Sequence, residues 1–523
     1  MPIKMKGKKM STKITKAWSE YEAGKEYKRR IGLYETVRRN ERFYRGDQWR
    51  GAEGLDLPKP VFNIIKRVTD YLVCSVATGN YSLAYTDENL PFCASESERA
   101  AIKRALDVMT QNAKYRWERC RMNSMVYGLL LDAAVSGDGV VYCYWDNSAP
   151  GDKRFLGDIG AQKIDNVNLF VSDVNNPDIQ SQDYVMLSGR ESVESLREEA
   201  RQNGVDERDI MRIIPDEDYS EGYEGSELDC GGGKATCLIK FHREGGRVVF
   251  EKSTKECVIK RVETACRLYP VAYFNWMPTK NSFHGASPVS QMVPNQKFIN
   301  RAYAMVMKHM TDTAFSKIVY DKSRIPEWTN EVGEAIAVVG ATNVSDAVSV
   351  VGVGDMQDNY LELIETAVAT TKEMMGATET ALGNIVPTNT SAILALKETS
   401  RMTLEQVTAA VSKCIEDIAN IWADMMCAYY SNDRLVPCGG ELAGQIDFDS
   451  LRASLIRAKV EVGEATSYSA STALTILDKL LDGGYIGAKE YIEHLPEGFV
   501  LEKDMLIKEG EDNHEKSEDR GND

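Results

Sequence analysis

Motifs of the common enzyme classes are missing from this sequence. It contains no Gly-x-x-x-x-Gly-Lys-Ser/Thr phosphate loop, no His-Glu-x-x-His zinc pair and no Gly-x-Ser-x-Gly nucleophile turn. Histidine is scarce, with only 5 residues, so candidates for a general base are few. The Gly231-Gly-Gly-Lys234 run lacks the following Ser or Thr, which favours a flexible turn over a phosphate site. These absences predict a protein that is not an enzyme and that binds no cofactor.

Long apolar runs and paired cysteines are also missing. No run of 18 apolar residues occurs, so we expect no membrane-spanning helix. The basic start of the chain lacks the apolar stretch of a secretory signal, which predicts assembly in a cytoplasm. The 11 cysteines form no Cys-x-x-Cys pair, so we predict free thiols and no metal site. The grouping nearest to a metal set is irregularly spaced: Cys230, Cys237, His242, Cys257 and Cys266.

Charge is unevenly distributed along the chain. The formal net charge is −16, yet residues 1–50 hold 15 Lys/Arg against 6 Asp/Glu, a difference of +9, which leaves −25 for the remainder. Taken alone, such acidity argues against a tight grip on nucleic acid by counterion release. It fits an ordinary acidic protein as well as a protein that must not hold a phosphate backbone tightly. The basic start of the chain fits either a solvated tail or a DNA-binding arm.

Hydrophobic periodicity predicts an α+β fold. Helical spacing and β-type runs occupy different parts of the chain, as expected when helices and antiparallel strands are segregated. Helices are predicted over 13–47, 59–78, 96–113, 115–135, 193–203, 469–481 and 486–494. Strands are predicted over 140–145, 167–171, 183–187, 235–242, 248–252, 257–262 and 271–276, and 448–459 fits either a strand or a helix.

An ordered series of elements follows residue 287. The first helix, Pro288 to Met310, has apolar residues at helical spacing, namely Met292, Phe298, Ile299, Ala302, Met305 and Val306. Short extended runs at 318–320 and 348–353 come next, before a second helix over 355–375. A Gly/Pro/Thr/Asn-rich loop then leads to a third helix. The series describes a conduit better than an active site.

The third helix is the most regular element of the sequence. Its span, Thr390 to Tyr430, contains no Pro and no Gly and would reach about 60 Å as one helix. Apolar residues recur along it in a three-four alternation that is typical of a packing seam. They are Leu404, Val407, Val411, Cys414, Ile418, Ile421 and Met425.

These elements, in this order, resemble the portal proteins of tailed bacteriophages, especially the siphovirus type. Asn40 to Trp49 (NERFYRGDQW) is similar to an early helix end of that family, and Asn63 to Tyr71 to its next helix. Ser136 to Trp145 (SGDGVVYCYW) resembles its wing turn and strand, and Gly285-Ala-Ser-Pro288 opens the helix that resembles its first stem helix.

The resemblance implies a portal-type fold with a helical stem, a small α/β clip, a mixed wing and a helical crown, assembling into a ring. The implied divisions are an N-terminal arm and wing at 1–286, a first stem helix at 287–316, a clip at 317–354, a second stem helix at 355–376, a tunnel loop at 377–390, a long wing helix at 391–436, a crown at 437–508 and a disordered acidic tail at 509–523.

The resemblance also implies a function and a set of partners. Copies of the chain would form a ring, typically dodecameric, at one capsid vertex of the virion, and double-stranded DNA would be packaged and ejected through it. The terminase large subunit, a head-tail adaptor and the major capsid or scaffolding protein are the implied partners, with no membrane. The alternative is an acidic helical scaffold or adaptor of a phage particle that does not bind DNA.

Candidate site residues follow from the same resemblance and from spacing. The segment that resembles the tunnel loop offers Asn384, Pro387, Thr388 and Asn389 to the DNA. One polar stripe of the first stem helix is either a plain solvated face or the channel wall, and it consists of Lys297, Arg301, Lys308 and Asp312. The clip strands are expected to pack on an adjacent subunit or to dock partners through Ile318, Val319, Tyr320, Val350 and Val351.

Overall fold

The computed structural model is a mixed helix and sheet structure. It describes residues 14–51, 57–77, 79–87, 95–150, 156–216, 233–313, 317–325, 327–328, 337–340, 343, 347–351, 359–377, 404–430, 437–438, 441–442, 456–464 and 467–495.

The N-terminal segment forms two helices, α1 (Lys16–Arg30) and α2 (Leu33–Arg45), where the sequence predicts one. Gly32 separates them with φ +66°, a left-handed conformation that ends a helical path and that glycine adopts without strain. Helix α1 packs on a sheet through Trp18 and Tyr21, which are buried against Phe170 and Met186. The described part of the basic N-terminal region is therefore docked rather than a solvated tail.

Three further helices precede the sheets: α3 (Ile64–Ala77), α4 (Glu96–Arg119) and α5 (Met122–Ser136). The sequence predicts a break between these last two helices near Lys114, and this prediction is wrong by about two turns, because α4 continues to Arg119. No Gly or Pro marks the actual break. The chain turns at Arg121, whose φ is 50°, and α5 ends at Gly137, whose φ is 104°.

The strands form antiparallel sheets. A three-stranded sheet has the order β3-β2-β9 and a five-stranded sheet the order β4-β5-β6-β7-β8. The first contains β2 (Asp138–Pro150), β3 (Leu156–Lys163) and β9 (Val271–Asn275). The second contains β4 (Leu169–Val171), β5 (Tyr184–Ser192), β6 (Lys234–Glu244), β7 (Arg247–Ser253) and β8 (Val258–Glu263), with α6 (Val193–Gln202) and α7 (Glu207–Ile210) between β5 and β6.

Strand β1 (Gly79–Asp87) is an element that the sequence does not predict. It pairs antiparallel with β14 (Ile456–Glu464) over its whole length, from Gly79 opposite Glu464 to Asp87 opposite Ile456. Of the segment 448–459, for which the sequence allows a strand or a helix, residues 456–459 belong to this strand and 448–455 lie outside the described residues. It also connects the C-terminal part of the chain to the N-terminal helices.

The series after residue 287 has the predicted order. It comprises α8 (Pro288–Thr313), β10 (Lys317–Tyr320), β11 (Val348–Val351), α9 (Asn359–Met374) and α10 (Glu405–Tyr429). Two short strands, β12 (Pro437–Cys438) and β13 (Glu441–Leu442), and two C-terminal helices, α11 (Ser467–Asp482) and α12 (Ala488–His494), complete the described elements. The first part of the predicted long helix, 390–403, lies outside the described residues.

Helix α10 lies in the largest hydrophobic core. All seven positions of the predicted seam are buried, from Leu404 at 7% exposed to Val411, Cys414 and Ile418 at 1%. Burial extends beyond that seam, because Trp422 is fully buried and several other α10 residues are buried as well. Helices α3, α4 and α5 and strands β2 and β9 supply the surrounding side chains. The helix is thus enclosed by the fold rather than packed along one stripe.

Candidate functional site

The chain enters α8 through a short loop that is held by the buried carboxylate of Asp138. Its Oδ1 accepts hydrogen bonds from the backbone N–H of Gly285 at 2.7 Å and from the Asn275 side chain at 3.0 Å. Its Oδ2 accepts one from Asn166 at 3.0 Å and lies 2.7 Å from Nδ1 of His284. Burial alone would raise the pKa of Asp138, but His284 and these hydrogen bonds lower it. An ionised carboxylate therefore fixes the direction in which α8 leaves the sheets.

A buried ammonium group supports the same junction from α1. Nζ of Lys28 donates to the backbone carbonyls of Asn166 at 3.1 Å, Val167 at 2.8 Å and Leu169 at 2.6 Å. Burial lowers the pKa of Lys28 well below its usual range, and the negative charge of Asp138 opposes that shift. The sequence gives no sign of this role, because a lone Lys in a basic segment is typical of a solvated surface.

Helix α8 starts with a side-chain cap. Oγ of Ser287 accepts hydrogen bonds from the N–H groups of Val289 at 3.1 Å and Ser290 at 3.4 Å, and it donates to the carbonyl of Ala134 at 2.6 Å. Pro288 occupies the first helical position, where its missing N–H leaves no bond unmade. The predicted start of this helix is confirmed, and its cap also joins it to α5.

The inner face of α8 is polar at its centre. The Gln296 side chain accepts from the N–H of Ile64 at 3.0 Å and donates to the carbonyl of Phe62 at 2.8 Å and to Asn300 at 2.9 Å. Asn300 in turn donates to Gln48 at 2.6 Å. These buried amides satisfy the free N–H groups at the start of α3 and fix α8 against it. The only sequence signal is an i, i+4 amide pair within an otherwise apolar pattern.

The apolar residues predicted on α8 lie on two different faces. Met292, Ile299 and Ala302 are buried, whereas Phe298 is 48% exposed and Met305 is 53% exposed. Large exposed side chains continue toward the end of the helix and onto α9. They are Met307, Met310, Tyr360, Leu361, Leu363 and Met374.

The predicted polar stripe lies beside these exposed apolar side chains. Lys297 and Arg301 are exposed, and Nζ of Lys297 lies 5.7 Å from the centroid of the Phe43 ring. Lys308 is half-buried and pairs with Asp312 at 3.7 Å. The structure thus brings the four residues onto the open side of one helix, and their place in a channel wall stays a prediction.

Strands β10 and β11 pair with each other, with Ile318 opposite Val350 and Lys317 opposite Val351. Ile318 is 42% and Val319 58% exposed. The Tyr320 ring stacks on the Trp328 ring with centroids 5.2 Å apart. Exposed β-branched side chains on a two-stranded ladder are available to pack against another surface. Docking through these strands stays a prediction.

Helix α9 runs beside α8 and is antiparallel to it. Asn295 of α8 donates to Oγ1 of Thr371 at 3.1 Å, close to the start of α8 and the end of α9. At the other end, the β10–β11 ladder brings the chain segments after α8 and before α9 together. Ile364 and Thr371 are buried on the face toward α8, at 1% and 3% exposed.

Polar contacts fix α10 to the elements around it. Oδ2 of Asp424 accepts from the N–H groups of Arg267 at 2.7 Å and Leu268 at 2.9 Å. Oδ1 of Asn420 accepts from the N–H of Ala458 at 2.7 Å, which connects α10 to β14. These contacts join α10 to the segment between β8 and β9 and to the β1–β14 ladder. The four predicted loop residues before α10, Asn384, Pro387, Thr388 and Asn389, lie outside the described residues.

The described cysteines that were considered as metal ligands lie in hydrophobic clusters, Cys237 and Cys257 in one and Cys266 in another. Cys237, Cys257 and Cys266 are buried, and burial raises the pKa of Cys237 to about 12. The described residues contain no group of three or more His, Cys, Asp or Glu side chains that could hold a metal ion, and Cys230 lies outside them. Within the described part of the chain, no helix is long and apolar enough to cross a membrane.

This chain is similar to known proteins in two respects, a family model and a solved structure. Residues 239–445 match the family model of the phage P22-like portal protein. No curated protein matches the sequence. A solved chain described as "Virion of native gene transfer agent (GTA) particle" aligns with 83% of this chain and 89% of its own, at 11% identity and a TM-score of 0.37, a similarity too low to argue from.

The matched region begins in β6 and contains α8, the β10–β11 ladder, α9 and α10. It therefore covers the ordered series after residue 287. The likenesses at 40–49, 63–71 and 136–145 lie outside it, and these and the narrower likeness to the siphovirus type stay predictions. The predicted resemblance to the portal proteins of tailed bacteriophages is confirmed over residues 239–445.

Proposed function

We propose that this protein is a phage portal protein, a ring-shaped channel at one capsid vertex through which double-stranded DNA enters and leaves the head. The portal-family match over residues 239–445 carries the proposal. Within it, α8 begins at a rigid junction with the sheets and extends beyond the core, as a channel-forming helix must.

The surface of α8 and α9 supports assembly into a ring. Phe298, Met305, Leu363 and Met374 are each 48% to 68% exposed, more apolar surface than a helix pair facing only water needs. A head-to-tail contact between two such surfaces closes into a ring when the rotation between neighbours divides a full turn. A dodecamer is the number that the family resemblance implies.

The partners follow from the same assignment. The β10–β11 ladder, with Ile318, Val319 and Tyr320 on its first strand, is the proposed docking surface for the terminase large subunit and later for a head-tail adaptor. The major capsid or scaffolding protein would hold the ring in the virion. We propose no catalytic centre for the chain, since ATP hydrolysis would belong to the terminase.

Negative-stain electron microscopy of the purified chain tests this function. End-on rings with a central hole are expected, and their rotational symmetry gives the subunit number. Monomers or small irregular oligomers across the accessible concentrations would overturn the ring proposal and favour the acidic scaffold or adaptor. Particles that lack the chain should package no DNA, which is measured as nuclease-protected DNA.

A further inference from the structure

The open face of α8 carries two cations that form no ion pair in the described part of the chain, although Nζ of Lys297 lies over the Phe43 ring. Lys297 and Arg301 are exposed and four residues apart, so they lie one turn apart on the same side of the helix. Neither belongs to an ion pair among the described residues, whereas the nearby Lys308 pairs with Asp312. Phe298 and Met305 flank the two cations on the same side.

The open face of α9 has the opposite charge. Glu362, Glu365 and Glu373 are exposed, at spacings of three and eight residues that keep them on one side of the helix. Ile364 and Thr371, which face α8, lie on the opposite side. No cation of the described residues pairs with any of the three glutamates.

One hydrogen bond sets the relative height of the two helices. Asn295 of α8 contacts Thr371 of α9, and the helices run antiparallel. Arg301 lies six residues after Asn295, and Glu365 lies six residues before Thr371. At 1.5 Å per residue, both are displaced by about 9 Å in the same direction. Lys297 is displaced from the Asn295–Thr371 contact by about 3 Å in that direction, and Glu373 by about 3 Å in the opposite direction. Along the helix axis, Lys297 therefore lies within about one turn of both Glu365 and Glu373.

Rotation about a ring axis changes no residue's height along that axis. If α8 and α9 run along the axis, Arg301 of one copy is level with Glu365 of the next. We propose that neighbouring copies contact each other through these two faces, with Lys297 and Arg301 of one copy paired with Glu365 and Glu373 of its neighbour. The inference rests on the proposed ring and specifies the residues that set its register.

The contact also fits the apolar residues on these faces. Phe298 and Met305 would be covered by α9 of the neighbour, whose Leu363 and Met374 are exposed. Exposed ion pairs contribute little affinity, but complementary charge selects direction and register and disfavours contacts between like faces. A heterologous contact of this kind does not satisfy both faces in a dimer, so it favours closure of a ring. Lys297 and Arg301 would then lie between subunits and not on the channel wall.

Charge reversal of each face tests the pairing in the full-length chain. Lys297→Glu with Arg301→Glu makes the α8 face acidic, and Glu365→Lys with Glu373→Lys makes the α9 face basic. Each double variant should lose rings at concentrations where the wild type is fully assembled, as measured by mass photometry. All four residues are exposed, so circular dichroism should remain that of the wild type, and thermal melting should match the wild type at concentrations where both are unassembled.

Two rescue experiments distinguish specific pairing from a general effect of charge. The quadruple variant, with both faces reversed, should assemble again. An equimolar mixture of the two double variants should also assemble, into rings in which they alternate and whose subunit number is even. Failure of both rescues would overturn the pairing.

A matched control reverses two exposed cations outside α8. Arg247→Glu with Lys280→Glu makes the same charge change on the sheet side and should leave rings intact. Rings that persist in the α8 double variant, or that the control also abolishes, would refute the inference while the wild-type ring stands. Absence of rings in the wild type would instead refute the proposed function.

Discussion

Truncation of Ile418 at the centre of α10 tests whether this helix is a core element. Ile418 is 1% exposed and belongs to the largest hydrophobic cluster of the described residues, which extends from Phe43 of α2 to Ala458 of β14 and includes the three-stranded sheet. Ile418→Ala removes three carbon atoms from a site that α10 and its neighbours enclose from several sides. Little collapse around the cavity is therefore expected.

The expected loss is about 2 to 4 kcal/mol of unfolding free energy, since the transfer term and a residual cavity both contribute at a fully buried position. Ala409→Gly, at an exposed position of the same helix, is the matched control. It makes no cavity and should cost about 1 kcal/mol through helix propensity alone. The two variants thus differ in burial but not in the element they perturb.

Urea unfolding followed by circular dichroism measures both variants against the wild type. Protein concentration must be the same throughout, because assembly would stabilise the folded subunit in a concentration-dependent way. A shift of the midpoint without a change of slope would report stability alone. If Ile418→Ala were no more destabilising than Ala409→Gly, α10 would not be a core helix, and the fold around the portal-like series would be wrong.

Four further outcomes are expected. Burial raises the pKa of Asp417 to about 6, so between about pH 4 and 6 the folded state holds a proton that the unfolded chain has released. Above that range the buried charge destabilises the folded state, so Asp417→Asn should raise the unfolding free energy at pH 7 by up to about 3 kcal/mol. Urea titrations at pH 4 should show little effect of the same substitution. Asp138→Ala should lower the unfolding free energy by about 3 to 5 kcal/mol, because His284 and two side-chain amides lose a buried charged partner. An unchanged urea midpoint would show that Asp138 does not stabilise the start of α8. Val350→Asp should stop ring assembly while the subunit stays folded, with the neighbouring Ser349→Asp as control, and intact rings seen by electron microscopy would contradict a role for the β10–β11 ladder between subunits. Replacement of Asn384, Thr388 and Asn389 of the predicted loop by Ala should leave rings intact but reduce the amount of nuclease-protected DNA in particles. Particles that still package DNA fully would show that the loop has no role in packaging.

Local patterns were sufficient for most of the elements. The seven seam positions of α10 were predicted residue by residue, because they recur at helical spacing. The further buried residues of α10, such as Trp422, were not predicted, because the elements that cover them are distant in the chain. The strands of the five-stranded sheet were likewise predicted, although most bounds moved by one to five residues. Strand β1 was missed, because the residues of its partner β14 lie 369 to 385 positions away (456 − 87 and 464 − 79) and the segment alternates too weakly to be recognised alone.

Some of the candidate site residues could likewise be found from the sequence, and others could not. The polar stripe of α8 was found from spacing, and the structure places Lys297 and Arg301 together on an open face. The junction at Asp138 was not found. Its partners, Asn166, Asn275 and His284, are distant in sequence and meet only because β2 and β9 pair in a particular register.

The sequence by itself determined most of the helical segments, the described part of the regular core helix, and an order of elements that resembles that of portal proteins. These are properties of neighbouring residues, and periodicity and turn chemistry record them directly. Tertiary structure alone decided which apolar side chains are covered. Ile299 and Phe298 are adjacent and similarly apolar, yet one is fully buried and the other is 48% exposed. Burial depends on what packs against a face, and that is set by elements far away in the chain.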